Sequence, residues 1–392
     1  MPEIIISWLL LFALLYLLIT SVILVHNRFH LTELPAEDNM EDGQHLKISV
    51  CIPARNEEDT IHKLLHSVVT QNYPSFEVLI LDDQSEDSTP LILKSFRQQY
   101  PDLIIPLKGT RRPQGWLGKS WACQQLGEKA DGHILLFLDA DTVLQPGMLP
   151  SVSAAFSKYN TDMITVWPHQ VFRTWWEKTV MPIVYYTLLT LLPTFYAFRK
   201  PKFMPEYIYS RVSSLFSAAN GQCIAFKREV YDKIGGHAAV KSEIVEDVKL
   251  AQNTVKAGFT MRMFTGQSSI KCRMYNSQFE MFQGFRKNFF AGFNYNLTLF
   301  SFSAVLHFAV FVLPFITLPV SLITENRLLF ELSAAVISVI LLQRLVIAFW
   351  QKWNPLYAFT HPVGVLWFQI LALTTILDFL TKRKVKWKER EI

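Results

Sequence analysis

Cysteine is scarce, with four in 392 residues, at positions 51, 123, 223 and 272, and no C-x-x-C pair. That scatter argues against a disulfide framework and against a thiolate metal cluster, and fits buried thiols in a reducing compartment. No internal repeat or low-complexity block is present. No A-x-A pattern follows the first apolar run, which is also too long for the core of a signal peptide. The net charge of +5 is small and lies partly in Lys382-Arg383-Lys384-Val385-Lys386-Trp387-Lys388. A basic run beside an apolar helix faces anionic lipid, and no nucleic-acid module accompanies it. Gly115-Trp116-Leu117-Gly118-Lys119-Ser120 ends like a phosphate loop, but Pro113 stands where the first glycine of that loop belongs. His62 and His66 have the i, i+4 spacing of a zinc helix, yet Lys63 stands where glutamate would follow, so they read as a solvated flank.

Apolar residues are abundant. Half the chain is hydrophobic, including 30 Phe, which excludes disordered and fibrous classes and points to a membrane component. Ile4 through Val25 carries no charge and, as a helix, measures about 33 Å, enough to cross a bilayer core. Glu3 precedes it and Arg28 follows, which places its C-terminal end in the cytoplasm. Stretches near 303–323 and 333–350 also read as spans. A third, near 356–380, is long enough to span or fold back. The expected layout is a 1–28 anchor, a cytosolic domain over 45–290, a membrane region over 300–381 and a basic tail over 382–392. Val180 to Phe198 is apolar but holds Pro182 and Pro193. A single crossing there would put acidic segments on opposite membrane faces, so 175–200 reads as a helix lying in the interface; a buried helix of the soluble domain is the alternative.

The middle domain alternates strand and helix at spacings that suit parallel crossovers. Strands are expected at 48–53, 76–81, 103–107 and 133–138, with helices at 57–71, 88–100 and 119–129. The run Ile134-Leu135-Leu136-Phe137-Leu138 reads as a strand covered on both faces, and it runs into Asp139-Ala140-Asp141. Ligands of open α/β sheets bind at the carboxyl ends of strands, and two acids spaced D-x-D there can hold a hard divalent cation through oxygen. Three of the four strand ends carry carboxylates. Gly118-Lys119 opens a helix in a way that suits an anionic phosphate.

Four segments together carry a resemblance: Val50 to Glu58, Leu81 to Thr89, Asp139-Ala140-Asp141, and Val245-Glu246-Asp247. In order and spacing over 48–290 they resemble the family 2 glycosyltransferases. That implies a GT-A nucleotide-binding α/β fold with a mixed, mainly parallel sheet, here with one N-terminal and about three C-terminal transmembrane helices. The resemblance implies that Glu57 contacts the nucleoside and that Asp83, beside Asp82, accepts from the base N–H, as uracil would offer. It implies that Asp139 lies near the nucleotide sugar and shares with Asp141 a Mg2+ or Mn2+ ion, Asp141 being the direct ligand. Lys119 is then a diphosphate contact, and Glu246-Asp247 is the catalytic pair, with Asp247 as general base of an inverting transfer. The bland alternative for Glu246-Asp247 is an N-cap of the helix 248–256. Gln283-Gly284-Phe285-Arg286-Lys287 resembles the family's Q-x-x-R-W motif except that Lys287 replaces tryptophan. Gln283 and Arg286 are acceptor or diphosphate candidates, and the departure weighs against a processive synthase.

The G-W-L-G-K and F-R-K-N segments are similar to those of bacterial carotenoid glycosyltransferases, including the diaponeurosporenoate type. The expected activity is transfer of a hexose such as glucose from a UDP-sugar to a lipophilic acceptor, a carotenoid acid or hydroxylated lipid, by a multi-pass cell-membrane enzyme. The runner-up is a polysaccharide or glycolipid synthase. A transporter or sugar-nucleotide sensor is the non-enzyme alternative, since Glu331 and Arg344 lie in or near a span, although each sits close to a helix end or can pair. One entry helix and three exit helices leave the basic tail outside, against positive-inside reasoning. The last apolar stretch is then re-entrant, or one segment lies flat.

Overall fold

The computed structural model describes residues 2–36 and 46–381, with 383, 386–387 and 390–391 of the tail. Of the basic run, Lys382, Lys384, Val385 and Lys388 lie outside the described residues. Two compact units emerge: His30–Val171 with Thr194–Met274, and Met1–Phe29 with Phe172–Pro193 and Tyr275–Ile392.

The first unit is built on eight strands: β1 (Ile48–Ala54), β2 (Phe76–Asp82), β3 (Ile104–Lys108), β4 (Ile134–Leu138), β5 (Thr142–Leu144), β6 (Met163–Gln170), β7 (Cys223–Lys227) and β8 (Met261–Cys272). Their order is β3-β2-β1-β4-β7-β6-β8-β5. The first four are mutually parallel, as the alternation of strand and helix requires. β7 runs antiparallel to β4 and β6, and β5 antiparallel to β8, so the sheet is mixed. The chain moves outward from β1 to β3 and then crosses back to β4 on the other side of β1. That reversal opens a crevice beyond the ends of β1 and β4. Every residue of β4 is buried, which explains its unbroken apolar run.

The helix expected over 57–71 begins only at Ile61, where Ile61, Leu64, Leu65 and Val68 bury one face. The missing turn has a cause. Asn56 takes a left-handed φ of 51°, and the Glu57 and Glu58 amides donate to Thr89 Oγ1 and Asp87 Oδ2 instead of entering a helix. The strand-end loop is thereby pinned to its neighbour after β2.

Among the described residues, the second unit contains four helices, or helix pairs, long and apolar enough to cross a membrane: Glu3–His30, Leu297–Ile323, Arg327–Trp350 and His361–Leu380. The second is interrupted at Val312, just before Pro314. The helix Trp175–Leu191 packs within this unit, with Val180, Met181, Tyr185, Tyr186 and Leu189 buried. Thr174 caps it by accepting from the Glu177 amide, and Asn27 Nδ2 donates to the carbonyls of Leu189 and Leu192 at its far end. Gly364 lets His361–Leu380 approach this helix. A Cβ there would lie 2.8 Å from both Thr179 O and Ile183 Cγ1. Gly364→Ala is expected to lower stability by about 1–3 kcal/mol, seen as a reduced melting midpoint of the detergent-solubilised protein.

Candidate active site

The loops after β1 and β2 clasp each other. Arg55 Nη1 donates to the carbonyls of Asp83 (2.7 Å) and Gln84 (3.0 Å), Asp83 N–H donates to Ala54 O (2.8 Å), and Asp82 Oδ1 accepts from the Ser85 amide. Glu57 Oε2 accepts from Thr60 Oγ1, and Asp83 is buried. Glu57, Asp82 and Asp83 therefore share one rim at adjacent strand ends.

The second part of the rim follows β4. Asp141 Oδ1 is buried and has no hydrogen-bond partner. Burial, then the charges of Asp139 and Glu57, push the Asp141 carboxyl up to about 7. The Cys272 thiol lies beside it, because β5 pairs with β8 and sets Cys272 across from Thr142. Gln222 Nε2 holds the Cys272 sulfur at 3.0 Å, and Gln170 holds Gln222 at 2.8 Å. Burial, then the charges of Asp141 and Asp139, raise the Cys272 thiol well above the ordinary range.

Lys119 closes the site. Its ammonium lies 2.8 Å from Asp139 Oδ1 and 3.0 Å from Glu246 Oε1. Burial opposes its charge, but the two carboxylates outweigh that and hold it well above the usual lysine value. It is a fixed cation at the start of the helix Gly118–Lys129. The helix Glu246–Lys256 starts at Glu246 with Val245 as its cap residue, so the acid pair lies in the first turn instead of capping it. Asp247 is drawn elsewhere: Oδ2 accepts from the Gly221 amide at 2.8 Å and Oδ1 from Val248 at 2.8 Å. Burial, then the neighbouring Glu246 charge, push its carboxyl up to about 6. A carboxylate poised there can take a proton near neutral pH.

Lys119, Asp139, Gly221, His237, Glu246 and Asp247 line one cleft. The motifs thus bring Glu57, Asp82, Asp83, Lys119, Asp139, Asp141, Glu246 and Asp247 to the carboxyl ends of the sheet. Gln283 and Arg286 lie on the helix Gln278–Phe289 of the other unit, where Arg286 forms a two-pronged, largely buried pair with Asp378. His62 and His66 are exposed on their helix, and all four cysteines are buried and free.

Three further residues belong to the site. His237 is buried with Nδ1 2.7 Å from Tyr231 Oη, and burial drives its imidazole down to about 3. It is a neutral wall of the cleft. Cys272 carries no local signal, since only strand pairing brings it to Asp141. Gly221 sat in a loop of small residues. A Cβ there would lie 3.1 Å from Lys119 Nζ and 3.2 Å from Asp247 Oδ2, two groups held in a fixed network. Gly221→Ala is expected to cut turnover about 10- to 100-fold by displacing them, with the melting midpoint little changed. Steady-state rates and a melt on the same sample check this.

Residues 49–235 match the family described as Glycosyl transferase family 2. This stretch is a family 2 glycosyltransferase domain. The match stops short of Glu246 and Asp247, so their place in the site rests on the geometry above. A 4,4'-diaponeurosporenoate glycosyltransferase of Staphylococcus haemolyticus (strain JCSC1435) is 26% identical over 279 residues, covering 69% of this chain and 67% of that protein. The protein of that name from Staphylococcus aureus (strain MRSA252) is 26% identical over 254 residues, covering 63% of this chain and 62% of that protein. The chain thus spans about two thirds of these relatives' lengths. A mannosyltransferase from Pyrobaculum calidifontis, solved in complex with GDP-Man and Mn2+, superposes with a TM-score of 0.55 at 15% identity, covering 97% of this chain and 100% of its own. That likeness shows the GT-A fold of the family 2 domain.

Proposed function

We propose that this protein is a membrane-bound inverting glycosyltransferase that moves a hexose from a UDP-sugar to a lipophilic acceptor, a carotenoid acid being the first candidate. The observation that carries the reading is the charge layout of one cleft: a lysine fixed between Asp139 and Glu246, an unpartnered buried oxygen on Asp141, and a raised carboxyl on Asp247. Names of relatives support the acceptor class, the four long apolar helices support a membrane setting, and Arg28 after the first of them favours a cytoplasmic catalytic domain.

The residues fit a hard divalent cation. Asp141 offers a buried oxygen that nothing else satisfies, with Asp139 two residues away. Among the described residues no group of three or more His, Cys, Asp or Glu could hold an ion alone. One or two carboxylates plus substrate phosphates is the arrangement Mg2+ favours. Asp139 and Asp141 would hold Mg2+ or Mn2+, which when bound neutralises charge on the departing nucleoside diphosphate. The chain's own groups do the rest. Glu57, Asp82 and Asp83 bind the nucleoside end. Lys119 faces the diphosphate. Asp247 takes the acceptor proton, or orients an acceptor already ionised, while the adjacent Glu246 anchors Lys119. Arg286 receives no step, since its guanidinium is held by Asp378.

The test uses full-length protein in nanodiscs with Mg2+ or Mn2+, radiolabelled UDP-glucose, and a polyene acid or hydroxylated lipid as acceptor. A lipid-soluble glycoside with inverted anomeric configuration is expected. A polymer would mean a polysaccharide synthase. Absence of any lipid product with UDP-hexoses, or exclusive use of GDP-mannose, would overturn the donor and acceptor assignment.

A further inference from the structure

Arg344 lies on the helix Arg327–Trp350 and is only 3% exposed. Its Nη2 donates to Tyr357 O at 3.2 Å, while its buried Nε has no hydrogen-bond partner. A guanidinium remains charged in a protein, and a buried charge without a counter-ion is costly. The Glu331 carboxylate of the same helix is taken elsewhere, since it accepts from Arg327 Nε at 2.7 Å. Asp378 is taken by Arg286. No acidic side chain among the described residues pairs with Arg344.

A second unsatisfied group belongs to the same cluster. His361, the first residue of the helix His361–Leu380, is 0% exposed, and neither ring nitrogen has a partner. Its ring meets that of Tyr186 edge-on at 5.2 Å. Tyr186 Oη donates to Gln343, the residue beside Arg344, and Gln343 Nε2 donates in turn to Leu17 O at 2.9 Å and Ser21 Oγ at 2.7 Å. The layer therefore joins four helices and leaves Arg344 Nε and both His361 ring nitrogens without a partner, Tyr357 O on Nη2 being a neutral acceptor that does not balance the charge. Arg344 lies six residues before Trp350, or about 9 Å along the helix. Trp350, Trp353 and Tyr357 gather near that end, a composition enriched where helices meet the headgroup layer. Helix starts carry partial positive charge, which adds to the field at His361.

We propose that Arg344 and His361 form a binding site for the anionic headgroup of a membrane amphiphile, a phosphate or carboxylate oxyanion. Its residues belong to the unit that does not carry the sugar-transfer cleft, and the proposal holds whether or not the acceptor assignment does. Two sources share this chemistry, an anionic phospholipid and a long-chain acid of the acceptor type, and the experiment separates them.

Full-length protein is delipidated in neutral detergent. It is then titrated with short-chain phosphatidylglycerol, phosphatidylcholine and a polyene acid, with binding read by native mass spectrometry and tryptophan fluorescence. Wild type is expected to bind at least one anionic amphiphile about tenfold or more tightly than phosphatidylcholine, as one lost charge-assisted hydrogen bond implies. Arg344→Gln is expected to abolish that preference, and Arg344→Lys to keep part of it. Preference for phosphatidylglycerol identifies a lipid headgroup, and preference for the acid alone identifies an acceptor-type carboxylate. Equal affinity of wild type for all three, or an anionic preference unchanged in Arg344→Gln, overturns the proposal. If Arg344→Gln does not fold, His361→Asn decides. At least threefold weaker anionic binding is expected, and an unchanged affinity overturns the assignment.

Discussion

Asp141→Asn is expected to lower kcat/KM about 1000-fold with Mg2+ or Mn2+ at saturation. The variant keeps the shape of the side chain and removes the charge that must oppose a divalent cation, an electrostatic contribution of several kcal/mol. A readout separate from turnover is Mn2+ binding in the presence of UDP, followed by electron paramagnetic resonance, which should weaken by at least tenfold. Stability should move the other way. In metal-free protein the Asp141 carboxyl is raised to about 7 by burial and by Asp139 and Glu57. A carboxyl with a raised folded-state pKa favours folding most at low pH. Its contribution is lost as pH climbs from its unfolded value, about 4, through 7. Asparagine lacks that penalty, so Asp141→Asn in chelator should melt above wild type at pH 8, with the gap narrowing to about a third by pH 5 and closing below about pH 4. Full turnover in the variant, or Mn2+ binding equal to wild type, would remove Asp141 from the cation site.

Asp247→Asn is expected to lower kcat about 100- to 10,000-fold with a hydroxyl acceptor, the range attributed to a general base. An ionised acid acceptor has no proton to give up, so with a polyene acid the same variant should lose tenfold or less. Comparing the two acceptors on one preparation therefore reads acceptor chemistry directly. The pH profile supplies a second measure. Asp247 titrates at about 6, pushed up by burial and by Glu246, and the ionised form is the competent one. With a hydroxyl acceptor kcat/KM should rise with pH up to about 6 and then level off, with tenfold loss per unit below. Asp247→Asn should flatten that limb. A large loss with the acid acceptor, or a wild-type profile indifferent to pH between 5 and 7, would deny Asp247 this role.

Much of the sheet could be read from the chain because four parallel strands are short apolar runs that end in charged or polar turns, although β1 runs one residue past Pro53, which reads as its stop. The D-x-D pair declared itself because β4 is buried throughout, so two carboxylates at its end stand out. Two apolar spans in the C-terminal half and the anchor at the start were equally plain, since twenty apolar residues have few other uses in a folded protein. The antiparallel half was not legible. β5 is three residues long, and the β5–β8 and β4–β7 pairings join segments about a hundred residues apart. The loop 57–60 was misread as helix because its amides are claimed by Thr89 and Asp87, which periodicity cannot reveal. The pairing allowed for Glu331 and Arg344 failed for a similar reason: Arg327, one turn away from Glu331, is the nearer partner.

The sequence by itself determined the class of chemistry, because carboxylates at the ends of buried strands and long uncharged runs each have a narrow range of physical uses. Only the tertiary structure decided how those groups act on one another. It sets Lys119 between Asp139 and Glu246, turns Asp247 onto the Gly221 amide, brings Cys272 to Asp141 and leaves Arg344 with no acid to face. The reason is that charge and hydrogen bonding depend on distance and burial. Both arise from strand order and helix packing between residues far apart in the chain, where no local pattern carries the information.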